Sequence, residues 1–245
     1  MEKSENNLLE VQTLEELLLT TDCCCCEPIS QDEVTHILRL ADCFWLHSGD
    51  PKDPHVVLTS DKCSNGFVNV LVALSYTQIC NLFAAEIADK IEAVDPDLVG
   101  PKTWVVGSAY AALGLAQNVA HYLGARHAPL EKGPNDSQIW QRFQIAPDET
   151  VIQVEELITT LKTISAVRQG IIAGNQTPVR FAPFVATIVH RSPVEEFEGG
   201  PILRLTHYDI ETWEHEVCPL CAQGSERIKP KMPVENWLRL TGKLP

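Results

Sequence analysis

No stretch of this sequence approaches the roughly 18 consecutive apolar residues that a membrane-spanning helix requires, so no membrane partner is expected. Positive charge is scarce: 19 Lys and Arg stand against 33 Asp and Glu, a formal net charge of −14. A surface that grips a phosphate backbone needs a basic patch, and nucleic acid is therefore not expected as a partner. A basic leader is missing as well. Residues 1–33 hold nine carboxylates and one lysine, where a secretory signal would be positively charged, and the expectation is a cytoplasmic protein. That acidic segment reads as a solubility feature. Nor is there a disulfide framework, because the nine cysteines are odd in number and clustered. The run Cys23 to Cys26 cannot form a tetrahedral cage alone, since neighbouring side chains diverge in an extended chain. Its readings are a reduced, unstructured segment, partial metal ligation or lipidation.

What is present suits a soluble enzyme-sized domain. At 245 residues, 44% hydrophobic and 21% charged, the chain can bury a substantial core. Leucines recur at helical spacing over residues 8–20, and Ser30 with Glu33 forms a capping box ahead of Val34, Ile37, Leu38 and Ala41. Residues 56–72 alternate in the β manner, with Ser64-Asn65-Gly66 as a turn signal. A helix is expected over about Thr77–Glu92, then a strand running into Gly107 and a small-residue helix closed by Gly124. Residues 125–145 read as two strands around the polar loop GPNDSQ, a hairpin reaching out of the sheet. A helix to about Gly170 and the apolar strand FAPFVATIVH follow. This alternation predicts an α/β fold with right-handed crossovers and a mostly parallel central sheet flanked by helices.

The segment Val151 to Thr163, VIQVEELITTLKT, carries the most chemistry. A buried strand delivers Glu155 and Glu156 to its C-terminal end, and Thr159, Thr160 and Thr163 surround the start of a helix. In α/β folds, backbone N–H groups and hydroxyls at such a helix start take a phosphate, while the carboxylates take ribose hydroxyls or, indirectly, a metal.

With these residues the chain resembles the type I phosphoribosyltransferases, whose motif is a strand ending in two acidic residues, two apolar residues, then Thr-Thr-Gly-Gly-Thr. The two glycines are Leu161 and Lys162 here. Orotate phosphoribosyltransferases are the closest branch, and the likeness spans about residues 31–195. The resemblance implies a binding loop for the pyrophosphate of phosphoribosyl pyrophosphate at Gly107, Ser108, Ala109, Tyr110, Ala111 and Ala112. It implies a base-binding N-terminal hood over Ser60, Ser64, Phe67 and Asn69, a short catalytic hairpin with Lys132 and Arg142, and an orotate-carboxylate ligand in Arg191, whose planar fork suits a carboxylate. Glu155, Glu156 and Lys132 are then the catalytic candidates, and Thr159, Thr160, Lys162 and Thr163 hold the sugar phosphate. Mg²⁺ would accompany the substrate, and a homodimer is expected. The replaced glycines leave a second reading open, a catalytically inactive relative that binds nucleotides or serves as a scaffold.

The expected organisation is an acidic, cysteine-containing extension over 1–30, the phosphoribosyltransferase-like domain with its hood over 31–205, and a C-terminal extension over 206–245. That extension holds one CPLC motif. Cys218 and Cys221 supply at most two ligands, so a zinc site would need His207, His215 or the Cys23 to Cys26 run; the alternative is a tight turn ahead of Arg227, Lys229 and Lys231.

Overall fold

The computed structural model describes residues 7–20, 28–230 and 233–243. The Cys23 to Cys26 run and Lys231 lie outside the described residues. The chain begins with a short 3₁₀ turn and two helices, α1 (Leu14–Thr20) and α2 (Gln31–Leu40). The capping box forms as expected: the Ser30 hydroxyl accepts from Glu33 N–H and the Glu33 carboxylate accepts from Ser30 N–H. Four short strands follow, β1 (Phe44–Leu46), β2 (His55–Val57), β3 (Cys63–Ser64) and β4 (Gly66–Val68), then α3 (Val70–Leu74) and the long α4 (Thr77–Val94).

The β alternation expected to run to residue 72 stops at Val68. Val70 and Ala73 are both buried while Leu71 and Val72 are partly exposed, which is helical spacing against the main core. Ser64-Asn65-Gly66 is not a hairpin turn either, since β3 and β4 join different sheets.

The central layer comes next. In chain order it contains β5 (Thr103–Val106), α5 (Leu113–Tyr122), β6 (Arg126–His127), the hairpin β7 (Glu131–Lys132) and β8 (Gln138–Ile139), β9 (Thr150–Ile158), α6 (Lys162–Gly174), β10 (Arg180–His190), β11 (Glu196–Phe197) and β12 (Gly200–His207). The six-stranded sheet has the order β11-β12-β10-β9-β5-β6, parallel throughout except for the edge strand β11. The tail adds β13 (Thr212–Trp213), α7 (Pro219–Ala222), β14 (Arg227–Ile228) and α8 (Val234–Leu240). β13 and β14 flank β3 and β2 in a second sheet of order β13-β3-β2-β14, so the C-terminal segment completes the N-terminal hood.

Period-2 alternation decides which face of the sheet each residue meets. Val105, Ile152 and Val154 enter the large core with Ile79, Phe83, Ile87, Leu115 and Val119 of α4 and α5. Trp104, Val106 and Val151 turn the other way, against Val167 and Ile171 of α6 and Trp140 beyond the hairpin. Gly170 and Gly174 make that second contact close: a Cβ on either would overlap the backbone carbonyl of Gln138 or Trp140. Gly114, in α5, has nothing within 4 Å of its Cβ position.

Two substitutions should therefore diverge. Gly170→Ala is expected to lower stability by roughly 1–3 kcal/mol through backbone overlap, whereas Gly114→Ala is expected to be neutral or to stabilise by up to about 1 kcal/mol. Thermal unfolding of both variants checks this.

Candidate active site

The chain runs from β5 outward to β6, then returns so that β9 pairs with the opposite edge of β5. The β5–β9 boundary is thus a topological switch point, where loops leaving the C-terminal ends of the two strands part to opposite faces and open a crevice. Both sequence motifs end there. β5 leads into Gly107, where an added Cβ would sit 2.6 Å from Ala112 Cβ and 2.9 Å from the Val154 carbonyl oxygen, so only glycine lets the turn fold against β9. Ser108 and Ala109 follow, both lining a cleft of about 890 Å³.

β9 supplies the acidic pair to the same cleft. Glu155 is buried; Ser108 Oγ donates to its Oε2 (2.6 Å) and Gln153 Nε2 donates to its Oε1 (3.0 Å). Burial, reinforced by the neighbouring charge of Glu156, pushes its pKa from 4.5 up to about 7. Burial also raises Glu156, whose Oε2 is buried without a hydrogen-bond partner among the described residues.

The third wall is the start of α6, with Lys162, Thr163, Ser165, Ala166 and Gln169. Its N-cap is Leu161, which supplies no side-chain hydrogen bond, and the first N–H groups of the helix lack the usual capping side chain. Leu161 has φ −79°, and among the described residues none from Thr159 to Thr163 has a positive φ. The geometry needs no glycine there. The Leu161 side chain packs against the small cluster of Ile158, Ile164, Val185, Phe197 and Ile202 and does not line the cleft, whereas Lys162 does.

The hairpin forms the fourth wall with Lys132, Asn135, Asp136 and Gln138. Lys132 pairs with Asp136 (3.3 Å). Asn135 and Asp136 are both left-handed, a conformation their short polar side chains tolerate. Arg142 is directed elsewhere, donating to Glu131 (2.7 Å).

Eight expected site residues therefore share one cleft: Ser108, Ala109, Ala111, Lys132, Glu155, Glu156, Lys162 and Thr163. Thr159 and Thr160 are exposed in the turn just before α6 and do not line it; Tyr110 points to solvent. Phe67 and Asn69 sit in the hood, Phe67 edge-on to Trp237 of α8 with ring centroids 5.7 Å apart. Arg191 follows β10 and its N–H donates to the Ile158 carbonyl (2.9 Å); its half-buried guanidinium forms no ion pair among the described residues. Two cleft partners escaped the sequence reading. Gln153 lies two residues before Glu155, on the same strand face, and period-2 reasoning identifies that position. Gln138, whose Oε1 accepts from Ala109 N–H (2.9 Å), carries no local signal because it acts across 29 residues.

Cys218 and Cys221 are together, but His207 is remote from them: its Nδ1 is 3.1 Å from His190 Nδ1 and its Nε2 is 3.2 Å from Asp209 Oδ1. The pair is joined instead by His55 and Cys63 in a mostly buried Cys/His cluster, with His215 Nδ1 at its edge, 3.4 Å from Cys221 Sγ.

The raised pKa of Glu155 fixes the sign of a pH effect. The folded protein keeps a proton that the unfolded chain releases, so stability is expected to fall as pH rises from about 4.5 through about 7, by as much as about 3 kcal/mol. Glu155→Gln should flatten that portion of the profile and be the more stable protein above it, as chemical denaturation at a series of pH values would reveal.

No family model matches the chain. In sequence it is similar to orotate phosphoribosyltransferase of Caldanaerobacter subterraneus subsp. tengcongensis, 28% identical over 176 residues that cover 72% of this chain and 87% of the relative. It is likewise 28% identical to the enzyme of that name from Heliobacterium modesticaldum over 202 residues, 82% of this chain and 98% of the relative. Among solved structures, Leishmania donovani UMP synthase superposes with a TM-score of 0.50 at 13% identity, covering 89% of this chain and 42% of the larger protein, a likeness of fold alone. The mostly parallel sheet, the crevice at its switch point and these relatives agree: the chain has the type I phosphoribosyltransferase fold and is similar in sequence to the orotate phosphoribosyltransferases.

Proposed function

We propose that this protein transfers ribose 5-phosphate from phosphoribosyl pyrophosphate to orotate or a related base, as a glycosyltransferase of pyrimidine nucleotide synthesis. The observation that carries the reading is the convergence of two carboxylates, a turn after β5 and an uncapped helix start on one cleft, in a chain 28% identical to orotate phosphoribosyltransferases over 72% of its length.

Each wall has a chemical task. The start of α6 takes the 5-phosphate through backbone N–H groups, with Lys162 adding a cation and Thr163 a hydroxyl; Thr159 and Thr160 border the same turn. The turn through Ser108, Ala109 and Tyr110 holds the pyrophosphate, for which Gln138 must yield Ala109 N–H. Glu155 and Glu156 bind the ribose hydroxyls and stabilise the positive charge that develops on the sugar as a base nitrogen attacks C1′ and pyrophosphate departs. Lys132 reaches over the cleft from the hairpin, placed to neutralise the leaving group once freed from Asp136. Phe67 and Asn69 on the hood and Arg191 beyond β10 recognise the base, with a guanidinium that has no ion pair among the described residues matched to the carboxylate of orotate.

Glu156 offers a hard oxygen, buried and without a partner among the described residues, but neighbouring strand side chains diverge, so Glu155 and Glu156 would meet a substrate-borne Mg²⁺ indirectly, by way of the ribose hydroxyls they hold. When bound, Mg²⁺ supplies charge neutralisation for the pyrophosphate. We further propose a cytoplasmic homodimer acting on small molecules; among the described residues no helix is long and apolar enough to cross a membrane.

Steady-state kinetics with phosphoribosyl pyrophosphate, Mg²⁺ and orotate, following loss of orotate and release of pyrophosphate, tests the reading. Turnover is expected, with Glu156→Gln lowering kcat on the order of 100-fold and Lys162→Ala raising the KM for phosphoribosyl pyrophosphate about tenfold with little change in kcat. Absence of turnover with orotate, uracil and purine bases alike would contradict it.

A further inference from the structure

The hood and the C-terminal segment meet in a sheet whose four strands are only two or three residues long. Its own packing is thin: beside the cluster of Trp45, Val56, Ile228 and Leu240, the other side has little more than Cys63, Cys218 and Leu220. Units this small seldom hold together on apolar contact alone and are commonly fastened by disulfides or a metal. No described cysteine is in a disulfide.

From β2, His55 extends toward Cys63 of β3 and toward Cys218 and Cys221, which bracket the start of α7. Cys63 Sγ lies 3.7 Å from Cys221 Sγ, and His55 Nε2 lies 3.7 Å from Cys218 Sγ and 3.4 Å from Cys221 Sγ. All four ligand atoms fall within 4.8 Å of one another. Zinc bonds of about 2.3 Å to sulfur and about 2.0 Å to nitrogen, at tetrahedral angles, place ligand atoms about 3.5–3.8 Å apart. The cluster has the dimensions of such a site.

A second, independent observation concerns the imidazole. Ser225 Oγ donates its single proton to the Asp53 carbonyl (2.6 Å), so it can only accept from His55 Nδ1 (2.9 Å). That relay puts the ring proton on Nδ1 and turns the bare lone pair of Nε2 toward the sulfurs. A buried histidine held in this tautomer, with its outer nitrogen anchored, is the usual support of a metal ligand. Cys218 Sγ also accepts from Cys221 N–H (3.4 Å), which closes the CPLC turn with both sulfurs on one side.

We infer that His55, Cys63, Cys218 and Cys221 bind one Zn²⁺ in a closed Cys₃His site that fastens the C-terminal segment to the base-binding hood. Binding releases the three thiol protons to solvent as the sulfurs become thiolate ligands, while the imidazole enters neutral. With four protein ligands no position is left for substrate, and the metal is structural. His215 stands outside the tetrahedron as a donor to Cys221. The site reaches beyond the transferase reading and does not depend on it.

Metal analysis of the full-length protein, expressed with zinc in the medium and dialysed against EDTA, is expected to return one zinc per chain. Cobalt(II) in its place should give the intense visible absorption of a tetrahedral ion with thiolate charge transfer. His55→Ala and Cys63→Ser should lose the metal, His55→Cys and His215→Ala should keep it with an altered charge-transfer band, and Cys80→Ser should keep the wild-type spectrum. A folded wild-type protein that takes up neither zinc nor cobalt would overturn the inference, as would metal retained in full by both His55→Ala and Cys63→Ser. These readouts use no enzymatic activity, so their failure is distinct from failure of the transferase proposal.

Discussion

A carboxylate buried at the C-terminal end of an interior parallel strand is the constraint on which this architecture turns. β9 is bonded on one side to β5 and on the other to β10, which fixes where Glu155 must lie. A carboxylate in that position is costly unless polar groups or a counter-charge meet it. Ser108 from the neighbouring loop and Gln153 from the same strand meet it in part, and its pKa near 7 shows what remains uncompensated. A carboxylate left short of compensation in this way is stabilised by positive charge brought close to it, which is what the proposed reaction would supply.

The surroundings follow from that placement. Because β5 and β9 lie at the switch point, the Gly107 turn and the start of α6 face one another across the crevice. The hairpin completes the enclosure only because Gly170 and Gly174 let its backbone lie directly on α6. Small residues on that helix are as much a part of the site as the acids, since a side chain at either position would lift Lys132 and Gln138 away from Glu155.

Strong local patterns made much of this legible in the sequence. The strand with its acidic end, the capping box at Ser30 and the glycine turn at 107 depend on neighbours within a few residues. Where the reading failed, the deciding contact was distant or the local pattern was overridden. Val70 to Leu74 is a continuous apolar run whose first three residues fall within the expected strand pattern, but burial of Val70 and Ala73 against the main core made it helical. Leu161 appeared to threaten the phosphate loop because a family glycine was missing, yet its backbone is ordinary and its side chain finds a separate apolar cluster. Half of the Cys/His cluster was hidden for the same reason: His55 and Cys63 are more than 150 residues from the CPLC motif that they join.

We propose above that the cleft between Glu155 and the start of α6 is a sugar-pyrophosphate site. Calorimetric titration of the protein with phosphoribosyl pyrophosphate and Mg²⁺, in the absence of any base, tests it most directly. Saturable binding of one molecule per chain is expected, weakened when Lys162 is replaced by alanine. A flat titration of the folded protein would contradict it, because an open crevice lined by these groups would then have no affinity for the ligand that its geometry is argued to fit.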